Sequence, residues 1–166
     1  MRAPTKRDAA AAFGQAVDDE IKNPRGIAAW GAFLRAHASL MRRLDADLRL
    51  QTGTGINEFD VLATLALRGG SLRMTELAER AYSSRSGMTR RVDHLVEQGL
   101  ISRGSDQTDG RGVVVALTGA GVKRLRELAP VHSRGIRDMF VSQLDDKDLD
   151  ALIKALAKVT VDTKFG

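Results

Sequence analysis

At 166 residues, with 43% apolar and 28% charged residues, the chain is sized and composed for one folded domain with a real core, which excludes wholesale disorder and two full domains. It has no cysteine, so disulfide scaffolds, thiolate metal sites, cysteine nucleophiles and thiol redox sensing are excluded. The net charge of +5 is concentrated: residues 68–126 hold eleven Lys and Arg against six acids, the whole of the excess. Such a stretch points to a polyanionic partner, with a solvated basic surface as the alternative.

At the N-terminus, Arg2, Lys6, Arg7 and Asp8 precede only a short alanine run, unlike the apolar region of a signal peptide. No later stretch approaches the ~20 apolar residues of a membrane span, so a cytoplasmic protein is expected. A first helix is expected around Phe13, Val17 and Ile21. Asn23 and Pro24 then open a long helix, Asn23 as N-cap and Pro24 at the first position, where its missing N–H costs nothing. Ile27, Trp30, Leu34, Ala38, Met41, Leu44 and Leu48 recur three or four residues apart and form its apolar stripe. "TGTGINEF" stops it. A further helix restarts with Asn57 as cap, Asp60 three residues on and Ile56 facing Val61 as a hydrophobic staple, and it ends at "RGG".

"SLRMTELAERA" predicts two or three helical turns around Leu77 and Ala78. After "YSS", Ser84 is the expected N-cap of another helix, with Met88, Val92, Leu95 and Val96 as its apolar face and Gly99 as its stop. Arg85, Ser86, Thr89, Arg90 and Asp93 share the opposite face. Two helices joined by a tight polar turn, the second basic and hydroxyl-rich near its start, fit a helix-turn-helix. A helix N-terminus in a major groove needs short donors and acceptors near base edges and arginines on the flanking phosphates.

The period then changes. "LISRGS" and "GVVVAL", joined by "DQTDGR", predict a β-hairpin whose glycines at 110 and 112 let the tip bend, whose Arg111 is carried outward and whose valines pack inward. Thr118 caps the next helix, which is expected to kink or break near Pro130. Asp145 caps the last, with Leu149, Leu152, Ile153, Leu156 and Val159 as its apolar face.

In this order, "FDVLATLA", "MTELAERA", "SGMTRRVDHLVEQGLISR" and "DGRGVVVALTGAG" resemble the MarR family of winged-helix transcriptional regulators, from Asn57 to about Arg126. The resemblance implies a mainly α fold with a small β-hairpin wing: a winged helix-turn-helix over residues 56–118. N-terminal helices (1–55) and C-terminal helices (119–166) would build the dimer, in one intertwined domain overall. It implies DNA contacts from Ser84, Arg85, Ser86, Gly87, Thr89, Arg90 and Arg91, a minor-groove role for Arg111, and Asp109 as the acid that holds the wing in shape. Two positions depart from the family pattern: Gly104 follows Arg103 where a second basic residue is frequent, and Arg73 stands where a capping hydroxyl is frequent.

The implied function is sequence-specific binding of double-stranded DNA by a homodimeric regulator, expected to be a ligand-responsive repressor. An activator, a non-sensing DNA-binding protein and a module for an acidic protein partner are the alternatives. A small aromatic or anionic effector is implied between the dimer-forming helices and the DNA-binding lobe; Trp30, Phe33 and His37 are candidates to line that crevice, with core packing as the alternative for Trp30 and Phe33. His37, His94 and His132 lack zinc-site spacing, "GTG" and "GAG" lack the context of a phosphate loop, and no serine lies in a nucleophile elbow. No enzyme, cofactor or metal is therefore expected.

Overall fold

The computed structural model describes residues 5–80, 85–105 and 112–160, with backbone alone at Arg80, Arg85 and Ser86. The chain forms two compact units, residues 1–41 and 42–166. The first holds α1 (Lys6–Ile21) and the opening turns of α2 (Pro24–Thr52). Thr5 caps α1: its hydroxyl accepts from the Asp8 N–H at 3.2 Å, and the Asp8 carboxylate accepts from the Thr5 N–H at 2.9 Å. No residue of α1 is buried, and Phe13 is 73% exposed. Asn23 caps α2 as expected, accepting from the Gly26 N–H at 3.0 Å, with Pro24 at the first helical position.

In the second unit, α2 ends where Gly53 takes φ 75° and its N–H reaches the Arg49 carbonyl, a left-handed stop suited to glycine. The next helix, α3 (Ile56–Leu67), begins two residues earlier than a cap at Asn57 would start it. Its cap is Gly55, not Asn57. Gly55 donates to Glu58 Oε2 at 3.0 Å, so Glu58 replaces Asp60 as the third-position acid. The neighbouring Ile56 N–H donates to Asp45 Oδ1 of α2 at 2.8 Å, which fixes where α3 starts. Buried Phe59, Val61, Leu62 and Leu65 form its inner face.

Sequence patterning missed a strand. Ser71–Arg73 form β1, which pairs antiparallel with β3 (Val113–Leu117), and β3 pairs in turn with β2 (Ile101–Ser105), so the sheet has three strands in the order β1-β3-β2. Between them lie α4 (Met74–Arg80) and α5 (Arg85–Glu97). Both α3 and α5 end on glycines with positive φ, Gly69 and Gly99, and the following N–H closes each helix: Gly70 to the Leu65 carbonyl at 2.8 Å and Leu100 to that of Leu95 at 3.0 Å. Only the middle of the valine run packs inward: Val115 is fully buried, whereas Val113 is 43% exposed. It lies with Leu62, Leu65, Leu77, Met88, Val92 and Leu95 in the core. Burying an aliphatic side chain of this size contributes about 1.5–3 kcal/mol.

Thr118 caps α6 (Gly119–Met139), which runs unbroken through Pro130 where a break or kink was expected. A 3-10 turn at Val141–Gln143 leads to α7 (Asp146–Ala157), capped by Asp145, whose carboxylate accepts from the Asp148 N–H at 2.8 Å. No residue of α7 is buried, and Ile153 of its apolar face is 66% exposed.

Candidate nucleic-acid interface

The buried positions Met88, Val92 and Leu95 turn one face of α5 into the core and so commit the other face outward. Thr89 and Arg90 are exposed on it, and Gly87 is half-buried. Arg91 is half-buried and lies within electrostatic reach of Asp60 on α3. Burial pushes the Asp60 carboxyl above its ordinary range, with the charges of His132 and Arg91 pulling the other way. Of the remaining expected DNA contacts, Arg85 and Ser86 belong to the first turn of α5, whereas Ser84, Asp109 and Arg111 lie outside the described residues.

Arg124 and Arg103, both within the basic third, make structural ion pairs. Arg124 of α6 donates to the Thr54 hydroxyl at 2.7 Å and to the Thr52 carbonyl, and also pairs with Glu127 at 2.9 Å. It therefore ties α6 to the end of α2, and its charge is largely committed. Arg103 of β2 pairs with Asp93 of α5 at 2.8 Å. That contact joins the helix carrying Thr89 and Arg90 to the strand leading out to the hairpin tip.

Between α5 and the sheet lies a groove of about 460 Å³, lined by Arg73, Thr75, Thr89, Arg103, Gly112 and Val113 among others. Sequence reading treated Arg73 only as a lost capping hydroxyl. The cap is supplied otherwise: the Arg73 N–H donates to Glu76 Oε2 at 2.9 Å, and the Arg73 side chain faces the groove. Neither Arg73 nor Arg103 was expected from sequence to line a site, because their convergence depends on β1 and β2 both pairing with β3.

Trp30, Phe33 and His37 form a ladder along α2, with ring centroids 5.8 Å apart for Trp30–Phe33 and 6.3 Å for Phe33–His37, each pair inclined by 27°. Trp30 is 58% and Phe33 44% exposed, so core packing within one chain is not their role. Among the described residues no cluster of three or more His, Asp or Glu side chains is placed to hold a metal, and no helix is long and apolar enough to cross a membrane.

A family model described as MarR family matches residues 52–112, the stretch from the last residue of α2 to the residue before β3. The chain is 32% identical over 108 residues to the HTH-type transcriptional repressor YetL of Bacillus subtilis; the match takes in 57% of this chain and spans 65% of that relative, just under two thirds of its length. Among solved structures, AbsC, a MarR family transcriptional regulator from Streptomyces coelicolor, superposes with a TM-score of 0.73 at 26% identity, over 96% of this chain and 95% of AbsC. Sco3205, a MarR family regulator from the same organism solved in complex with DNA, gives a TM-score of 0.74 at 28% identity, over 82% of this chain and 90% of Sco3205.

Proposed function

Because this chain belongs to the MarR family of winged-helix transcriptional regulators, we propose that it binds a pseudo-palindromic DNA site as a homodimer and acts there as a ligand-responsive repressor, its effector a small aromatic or anionic molecule. The observation that carries this reading is a helix with Thr89 and Arg90 exposed beside a β-hairpin, inside the third of the chain that holds the whole positive excess. Such a helix fits the major groove. In a two-fold dimer the two copies of α5 would lie about 34 Å apart, one turn of duplex.

Within this reading, residues 56–118 are the DNA-binding lobe and residues 1–55 and 119–166 build the dimer. Exposed apolar side chains on α1 and α7, Phe13 and Ile153 among them, support the second assignment. Ser84, Arg85, Ser86, Gly87, Thr89, Arg90 and Arg91 are the proposed contacts to bases and phosphates, Arg111 the minor-groove contact and Asp109 its positioning acid. The exposed ladder of Trp30, Phe33 and His37 is the proposed wall of the effector crevice. Unchanged Trp30 fluorescence and DNA affinity across a panel of phenolic acids would remove that role.

The test of the reading is selection of bound fragments from sheared genomic DNA, followed by comparison of the best fragment with random duplex at two salt concentrations. An inverted repeat bound far more tightly than random DNA is expected. Equal, steeply salt-dependent binding to every duplex would reduce the basic third to an electrostatic surface and turn attention to acidic protein partners. On the selected site, Arg111→Ala is expected to weaken binding by about 1–3 kcal/mol, and unaltered affinity would withdraw the hairpin tip from the interface.

A further inference from the structure

We propose that Arg124 is a positioning residue for DNA recognition: by tying the start of α6 to the turn between α2 and α3, it sets the angle of α5 and hence the half-site spacing the dimer accepts. The inference rests on the homodimeric DNA-binding reading above. In that turn every N–H from Gly53 to Ile56 has a partner: the Arg49 carbonyl, the Thr52 hydroxyl, the Glu58 carboxylate and the Asp45 carboxylate in order. The turn still offers two acceptors. One is the Thr52 carbonyl, at the end of α2 where carbonyls lack a partner within their helix, and the other is the Thr54 hydroxyl. The Arg124 guanidinium donates to both. Thr54 is the one buried polar residue among the described residues, and a buried hydroxyl is costly to leave unpaired.

Less than two turns before Arg124, the Thr118 hydroxyl donates to the Gly99 carbonyl, just past the end of α5. The opening turns of α6 therefore bridge the end of α5 and the end of α2. Further along, α6 meets α3 through the His132 ring on Phe59 and meets Leu44 of α2 at Gly135. Apolar packing is non-directional, and packed helices slide over one another in small shears. A guanidinium fork, by contrast, fixes direction as well as distance. Arg124 is thus a directional restraint on how α5 stands relative to α2. One added base pair moves a half-site by about 3.4 Å and turns it by about 35°, and an α5 that cannot turn rejects the altered duplex. The penalty on a mis-spaced site is capped by the hydrogen bonds that must break to let α5 turn, so the preference Arg124 contributes is on the order of tenfold.

The test measures Kd for the selected inverted repeat and for duplexes with one base pair inserted or removed between its half-sites. The proteins are the wild type, R124Q, R124K, T54V and, as a control for lost stability, L77A. The wild type is expected to prefer the native spacing. In R124Q that preference falls by about tenfold, while the dimer and the salt dependence on the native site stay as in wild type. R124K keeps the charge without the fork, and T54V removes one acceptor; both are expected to relax the preference in the same direction. L77A loses core packing in α4 and is expected to lower the unfolding midpoint while keeping the wild-type preference. An unrelaxed preference in R124Q, or in R124K and T54V should R124Q fail to fold, would overturn the role of Arg124 alone. Equal relaxation in L77A would also overturn it, by tracing the effect to lost stability. A wild type that binds its selected site with no preference for spacing would overturn this inference and the paired half-sites, and one that binds no duplex would overturn the DNA-binding reading as well.

Discussion

His132 of α6 is a side chain whose chemistry is altered by its surroundings. Its ring packs on Phe59 of α3, with centroids 4.3 Å apart, and its Nδ1 is buried without a hydrogen-bond partner in the structure. Burial holds its pKa below the ordinary 6.5, opposed by the charge of Asp60. The folded state thus binds the proton less readily than the unfolded chain. This contribution to stability is fully present above pH 6.5 and is lost as the pH falls through the folded-state value. Asp60 acts in the opposite sense: its raised pKa makes ionisation in the folded state costly, a penalty absent below 3.8 that grows as the pH rises from there and is complete above the folded-state value. The unfolding midpoint is therefore expected to drop as the pH is lowered from 7 towards 5, and His132→Gln is expected to flatten that drop. A slope identical to wild type in H132Q, followed by thermal melts across this range, would dismiss His132 as its source.

The junction between sheet and α6 shows how few residues set the angle of an element. The Thr118 hydroxyl accepts from the Gly121 N–H at 3.0 Å and also reaches the Gly99 carbonyl at 2.7 Å, so one side chain caps α6 and anchors it to the end of α5. Gly121 packs so closely against the Leu100 carbonyl that a Cβ there would overlap the oxygen. Backbone cannot give way as a flexible side chain can. At Gly55, by contrast, an added Cβ would meet the mobile end of Arg49. Thr118→Ala is expected to cost about 1 kcal/mol as a lost cap. Gly121→Ala is expected to cost about 1–3 kcal/mol as overpacking, and Gly55→Ala less than Gly121→Ala. Denaturant unfolding ranks the three, and a G121A variant as stable as wild type would contradict the close approach.

For the whole molecule, the proposed dimer makes the sharpest claim. α7 is well formed, with Asp145 as its cap and Lys154 in its last turn, yet its apolar residues are at most half-buried and Ile153 is 66% exposed. An amphipathic helix draws most of its stability from the surface its apolar face covers, and in the proposed dimer the partner chain covers the exposed part of this face. Ile153→Glu is expected to shift the protein towards monomer in sedimentation and to weaken DNA binding through loss of the paired half-sites, while far-ultraviolet dichroism stays near wild type. A fully dimeric I153E with wild-type DNA affinity would place the dimer contact elsewhere.

Periodicity, caps and charge were enough to locate α2, α5, the hairpin strands, α6 and α7, because each is specified by residues close in sequence: Asn23 with Pro24, Met88 with Val92, Thr118 and Asp145. They also carried the resemblance to winged-helix regulators. What local pattern could not hold was anything fixed by a partner distant along the chain. β1 is three residues long and exists because β3 lies beside it; Gly55 caps α3 because Asp45, eleven residues before Ile56, holds the Ile56 N–H. Arg103 reads as one more basic residue until α5 brings Asp93 to it, and Arg124 reads as a surface charge until it meets Thr52 and Thr54, about seventy residues earlier. Side-chain types and their spacing determine which face of a helix is apolar and where it begins, since those depend on neighbours within a turn or two. Which charges face a ligand and which hold the protein together is decided only by folding, because an ion pair depends on distance in space, which sequence separation does not fix.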